Sequence, residues 1–136
     1  IAAALRYPER TVVAIAGDGD FLMNGQEIAT AAQYGANLIV VVVDNGAYGT
    51  IRMHQEREYP GRVSATELAN PDFAMLGAAY GAWSTRVETT ADFIAALDDA
   101  KARSGIRLIH AVTDLNRIAA SGATITGLRA RAKATA

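Results

Sequence analysis

The 136 residues suffice for one ordinary domain and are too few for two. The absence of Cys excludes a disulfide scaffold, a thiolate zinc site and a Cys nucleophile, and 13 basic against 14 acidic residues, net charge -1, exclude a bulk basic field for nucleic acid. A hydrophobic share of 51% with 20% charged residues reads as globular, and no apolar run approaches the roughly 20 residues of a membrane span. No charged leader with a cleavage site opens the chain, so a cytoplasmic α/β domain with no membrane or nucleic-acid partner is expected.

In chain order, Ile1-Ala2-Ala3-Ala4-Leu5 reads as helix without a cap before it, as though the chain began inside a helix of a larger protein. Thr11 to Ala16 is short, β-branched and continuous, and ends in Gly17-Asp18-Gly19; Leu38 to Val43 is similar and ends in Asp44-Asn45-Gly46. Unbroken apolar runs predict strands covered on both faces of a parallel sheet. Between them, Gln26 to Tyr34 reads as a helix with Ile28, Ala31 and Ala32 inward, stopped at Gly35. Residues 57 to 69, with charges, Pro60 and Gly61, read as a loop or lid.

Asn70-Pro71-Asp72 reads as the cap and first two residues of a helix carrying Phe73, Leu76, Gly77 and Tyr80 as far as Gly81. Trp83 to Val87 is a short strand. Thr89 or Thr90 caps a helix with Phe93, Ile94, Leu97 and Ala100 inward, ended by Gly105, and Arg107 to Thr113 is a further buried strand. After Asp114 the tail holds four basic residues, Arg117, Arg129, Arg131 and Lys133, and no acidic one; it reads as a solvated extension. The expected organisation is a domain over 1–115 and an extension over 116–136.

Ligands gather at the carboxyl ends of strands in doubly wound sheets. The first two strands deliver Gly17-Asp18-Gly19-Asp20 and Asp44-Asn45-Gly46-Ala47-Tyr48-Gly49 to one edge if they are parallel neighbours. Asp18 offers a hard anionic oxygen and Asn45 a neutral one, a mixture suited to Mg²⁺ or Ca²⁺ and not to Zn²⁺. Gly17 and Gly19 admit close backbone approach, and the next helix can turn its amino end to an anion. Together these predict a metal–diphosphate site, although each segment alone also reads as a turn. A dinucleotide fingerprint fails at Leu22, and the Gly-Lys-Ser/Thr of a P-loop is absent. Calcium-hand spacing fails at Leu22 and Met23 from Asp18, and at Ala31 from Asp20. What remains is the pair of segments, with Asp18 and Asn45 standing 27 residues apart.

That pair resembles the pyrophosphate-binding domain of thiamine-diphosphate enzymes, whose signature is Gly-Asp-Gly, a spacer of this length, and Asn-Asn. The resemblance runs on through Asp20-Phe21, Asn24, Gln26-Glu27, Thr30-Ala31, Tyr48-Gly49, Tyr59-Pro60-Gly61 and Asn70-Pro71-Asp72-Phe73, and is nearest to the acetolactate synthase and 2-oxo-acid decarboxylase branch. It implies a three-layer α/β fold, a mostly parallel sheet with helices on both faces, incomplete at the N-terminus. It implies that Asp18, the Asn45 side chain and the Ala47 carbonyl ligate Mg²⁺ (or Ca²⁺), and that Gly17, Gly19, Asp20, Tyr48 and Gly49 surround the diphosphate of thiamine diphosphate.

The implied substrate is a 2-oxo acid, to which the cofactor ylid adds. The activating Glu belongs, in the family, to a pyrimidine-binding domain acting within a homodimer or homotetramer. The 136 residues alone are therefore expected to bind the diphosphate end without turnover. Asp44 departs from the family's first Asn, and Thr50 and His54 depart from the Met and Trp that acetolactate synthases carry beside the substrate. The alternative is a non-catalytic α/β ligand-binding or oligomerisation module, and a flavodoxin-like nucleotide domain is a third. Among other candidates, His54 reads as loop-ordering or a proton donor, His110 as a satisfied core or interface residue, and Glu27 as a cap or surface contact. Arg52, Glu56, Arg57 and Glu58 read as a solvated face, with a lid or subunit contact as the alternative, Tyr48 as packing against the cofactor loop, and Met53 as filler rather than substrate wall.

Overall fold

The β-branched runs extend and pair into one parallel sheet of four strands: β1 (Val12–Gly17), β2 (Leu38–Asp44), β3 (Trp83–Val87) and β4 (Ile106–Val112), in the order β1-β2-β4-β3. The structure is a computed structural model and describes residues 1–118 and 122–134. Among the described residues there are seven α-helices: α1 (Ala2–Arg6) before the strands, α2 (Asp18–Asn24), α3 (Ile28–Gln33), α4 (Gly49–Glu58), α5 (Phe73–Ala79) and α6 (Thr90–Lys101) between them, and α7 (Ile125–Ala134) after them. Contacts divide the chain into two compact units, Ile1–Asp44 with Asn70–Val112, and Asn45–Ala69 with Thr113–Ala136.

The first unit contains the whole sheet, and the pleat sends alternate residues to opposite faces. On one face Leu38, Val40, Val42, Ile106 and Leu108 pack with Ala4, Phe21, Ile28, Ala31 and Phe73 of the helices α1, α2, α3 and α5. On the other, Ile39, Val41, Ile109 and Ala111 pack with Val87 and with Ala96 and Ala100 of α6. Each fully covered Ile or Leu here contributes about 2 kcal/mol of apolar burial. Helices thus cover both faces, as expected, but coverage of β1 is one-sided. Val13 and Ile15 are 46% and 74% exposed, because β1 is an edge strand and α6 packs over β3 and β4 at the far side.

Several boundaries differ from the sequence reading, each for a local reason. Helix starts directly at Asp18, where Gly17 is the last strand residue and also the cap; a 3-10 turn at Gly25–Glu27 then separates α2 from α3. Ala32 and Ile94, expected inward, are exposed. Asp72, not Asn70, caps α5, its side chain accepting from the Met75 N–H at 3.0 Å, so the helix begins after Pro71. Thr89 caps α6 by accepting from the Asp92 N–H, and its hydroxyl donates to the Asp92 carboxylate. That helix ends at Lys101, and Gly105 instead turns the chain into β4 with φ +82.

In the second unit, Tyr48 N–H donates to the Thr66 carbonyl and Leu68 N–H to the Gly46 carbonyl, a one-bridge antiparallel pairing centred on Ala47 and Glu67. Helices α4 and α7 pack together around Glu56, which is 1% exposed. Arg129 donates to both Glu56 oxygens, at 2.8 and 2.5 Å, Arg52 Nε donates to Oε1 at 3.3 Å, and Gly61 N–H to Oε2 at 2.8 Å. These contacts overturn two expectations. Arg52 and Glu56 are buried rather than part of a solvated face, although Arg57 and Glu58 are exposed. The basic tail is no plain solvated extension, since Arg129 is the main partner of Glu56. Residues 57 and 58 close α4, so the irregular stretch begins at Tyr59.

Candidate functional site: carboxylates at the strand ends

Parallel pairing sets Gly17 beside Val43, so that Asp18 and Asp44, each one residue further on, leave the sheet at the same level. Asp18 opens α2 and is 3% exposed; its Oδ1 accepts from the Gly19 N–H at 2.9 Å. The Asn70 amide nitrogen donates to Asp18 Oδ2 and to Asp44 Oδ1, both at 2.7 Å. The second Asp44 oxygen meets His110 Nε2 at 2.9 Å. His110 projects from β4, is 3% exposed, and stands edge-on to the Phe73 ring, which is itself edge-on to Phe21. One amide and one imidazole therefore tie together the ends of β1, β2 and β4.

The donor and acceptor chemistry explains the orientation. Two carboxylates that share one nitrogen donor stand close enough to repel each other. An NH₂ group is the neutral side-chain group that can donate to both, and charge-assisted bonds of this kind are the strong ones. The reversed amide would aim an oxygen at two anions. Asn70 Oδ1 and His110 Nδ1 are buried without a hydrogen-bond partner among the described residues. The nearest acid to Nδ1, Asp72 Oδ1, lies at 3.7 Å. The Asp72 carboxyl is held below its usual range chiefly by the Met75 N–H at the start of α5. His110 thus has one bonded nitrogen rather than the full satisfaction expected.

Of the expected site residues, Gly17, Asp18, Gly19 and Asp20 lie in the sheet unit; Gly19 is buried and Asp20 exposed. The first turn of α2 holds two carboxylates, Asp18 and Asp20, so its amide ends already face negative charge and an added phosphate there needs a cation between. Asn45, Ala47, Tyr48 and Gly49 lie in the second unit. Within that unit Asn45 Oδ1 accepts from the Ala47 N–H at 3.0 Å, and Gly46 makes the turn with φ +68. The pairing with residues 66–68 uses the Gly46 carbonyl and the Tyr48 N–H, leaving the Ala47 carbonyl out of that ladder. A Cβ on Gly49 would stand 2.6 Å from Asn45 Nδ2, so only glycine leaves the amide where it is.

Other candidates find structural roles. His54 is exposed, with Nδ1 2.8 Å from an Arg57 guanidinium nitrogen, and Glu27 accepts from the Thr30 hydroxyl. Tyr48 is 38% exposed. Among the described residues no group of three or more His, Cys, Asp or Glu is arranged to hold a metal.

Residues 1–111 match the family model described as thiamine pyrophosphate enzyme, C-terminal TPP binding domain. The chain belongs to that family. It is 36% identical over 115 residues to the acetolactate synthase isozyme 2 large subunit of Escherichia coli (strain K12), covering 84% of this chain and 21% of that protein. It is equally 36% identical over 112 residues to the 3D-(3,5/4)-trihydroxycyclohexane-1,2-dione hydrolase of Bacillus subtilis (strain 168), covering 78% of this chain and 18% of that one. The fold matches the thiamine diphosphate-dependent 4-hydroxybenzoylformate decarboxylase of Rhodococcus jostii RHA1 with a TM-score of 0.77 and 30% identity, over 84% of this chain and 22% of that chain. The chain thus spans about a fifth of the length of the relatives it matches. As a thiamine pyrophosphate-binding domain it has the expected parallel α/β architecture, and among the described residues no helix is long and apolar enough to cross a membrane.

Asn70 and His110 are the site residues that the sequence reading assigned elsewhere, to a helix cap and to the core. A signal for Asn70 was present: the residue before proline is disfavoured in helix, which frees an Asn there to bond outward.

Proposed function

We propose that this chain is the diphosphate- and metal-binding part of a thiamine-diphosphate enzyme acting at the carbonyl of a 2-oxo acid, by decarboxylation or by carboligation. The observation that carries the proposal is the buried Asp18 carboxylate, oriented by Asn70 at the carboxyl end of β1 beside Asp44. A charge so placed fits a bound cation far better than an empty core. The proposed Mg²⁺ (or Ca²⁺) donors are the Asp18 carboxylate, the Asn45 side-chain oxygen and the Ala47 carbonyl, three hard oxygens of the kind these ions take. Gly17, Gly19, Asp20, Tyr48 and Gly49 are assigned to the surroundings of the diphosphate.

The cofactor, when bound, supplies the carbanion-stabilising chemistry. The chain's residues would bind and orient it: Asp18 and its partners would hold a divalent cation, whose charge would offset that of the diphosphate beside Asp18 and Asp20. Asp44, where the family has Asn, does not argue for a decayed site. Its two oxygens accept from two convergent donors, Asn70 and His110, a role for which a carboxylate is better suited than an amide. Turnover is assigned to a homo-oligomer in which a pyrimidine-binding domain, of the same or a second subunit, contributes the activating Glu.

Calorimetric titration of the intact protein with thiamine diphosphate, with and without Mg²⁺, tests the reading. Binding that requires the metal, and that is lost in Asp18→Ala, is expected. Metal-independent binding, or unchanged binding in the variant, would instead indicate a non-catalytic module.

A further inference from the structure

We infer that Asn70 is a positioning residue for the metal site: its amide clamps the Asp18 and Asp44 carboxylates together and so holds Asp18 ready for a divalent cation. The inference rests on the metal-binding role proposed for Asp18. Its basis is one nitrogen bonded at 2.7 Å to an oxygen of each acid, from a residue 52 positions beyond Asp18 and 26 beyond Asp44. Neither of these two bonds is a local turn contact; both join a separate loop to the strand ends. The amide oxygen is buried without a hydrogen-bond partner among the described residues, and the two donated bonds are the ones that hold this side chain. Pro71 directly after it restricts the Asn70 backbone to extended conformations, and the Asp72 cap starts α5 one residue later. The clamp is thereby anchored on its C-terminal side.

The arrangement has a consequence that distinguishes it from mere loop packing. A clamp between two anions matters most when both are charged. With Asp44→Asn the repulsion at this point vanishes, and Asn70 loses part of its task. Asn70 and Asp44 are therefore coupled in metal affinity.

The experiment measures Mn²⁺ binding to the intact protein by electron paramagnetic resonance, without substrate, for the native chain, Asn70→Leu, Asp44→Asn and the double variant. Native secondary structure is checked by circular dichroism. Asn70→Leu is expected to weaken Mn²⁺ by about 10- to 100-fold, the range for residues that orient a metal ligand. In the Asp44→Asn background the same change is expected to weaken it several-fold less. Unchanged affinity in folded Asn70→Leu overturns the inference, and so does an equal loss in both backgrounds. If Asn70→Leu does not fold, Asn70→Ser, which keeps a single donor, takes its place with the same two criteria. Asp18→Ala separates the failures. If the native protein binds Mn²⁺ and Asp18→Ala does not, an unaffected Asn70→Leu sinks the clamp alone; if Asp18→Ala binds as the native chain does, the proposed metal role falls with it.

Discussion

Glu56 is the residue whose removal has the most calculable effect. It is 1% exposed, accepts from Arg129, Arg52 and the Gly61 N–H, and its pKa is lowered from 4.5 to about 2, with the Arg129 hydrogen bond as the largest cause. A folded-state pKa below the unfolded one means that the stabilisation is fully present above about pH 4.5 and is lost as pH falls toward 2. At about 1.4 kcal/mol per pH unit the linkage comes to about 3 kcal/mol, and Arg129, 36% exposed, is open enough to solvent to reduce this to about 2 kcal/mol. Glu56→Gln retains the shape and removes the charge, leaving Arg52 with no carboxylate in its buried position. The variant is expected to lose about 2 kcal/mol at pH 7 and nearly nothing at pH 2, measured by urea unfolding of the intact protein across that range. The difference between the two proteins is the diagnostic quantity, because other carboxylates titrate in both. A loss under about 0.5 kcal/mol at pH 7, or a difference that stays constant down to pH 2, would refute the assignment of this stabilisation to the Glu56 charge.

Two further outcomes follow from close packing. Gly49→Ala is expected to push the Asn45 amide from its place, since the new Cβ would stand 2.6 Å from Nδ2; Mg²⁺ titration in the presence of thiamine diphosphate should show about tenfold weaker metal binding. Phe73→Ala removes a side chain with 0% exposure that touches both Phe21 and His110, and is expected to cost about 3–5 kcal/mol in urea unfolding.

Most strand positions were legible because they depend on local chemistry. The β-branched run Leu38–Val43 can bury both of its faces only in the middle of a sheet, and β2 does so. Trp83–Val87 is a strand over the expected residues, and Thr89 caps its helix as a threonine before an acidic turn should. That Asp18 and the Asp44-Asn45 pair would reach one edge depended on their strands being parallel neighbours, and β1 and β2 are paired in parallel. What period and propensity do not carry is which face finds a cover. Ile15 stands in a short apolar run, as Val41 does, yet 74% of it is exposed, since β1 lies at the edge and α6 sits over β3 and β4.

The chain's own order of residues thus determined the class of fold, the acidic residues that close the first two strands and the family to which the motif belongs, because each is written in short stretches of neighbouring residues. Partnerships across long separations were settled by packing. Asn70 reads locally as a cap and in space joins two carboxylates; Glu56 reads as a surface charge and in space is buried against Arg129, 73 residues away. A side chain's polarity states how many hydrogen bonds it needs, and only the folded backbone selects the atoms that meet the need.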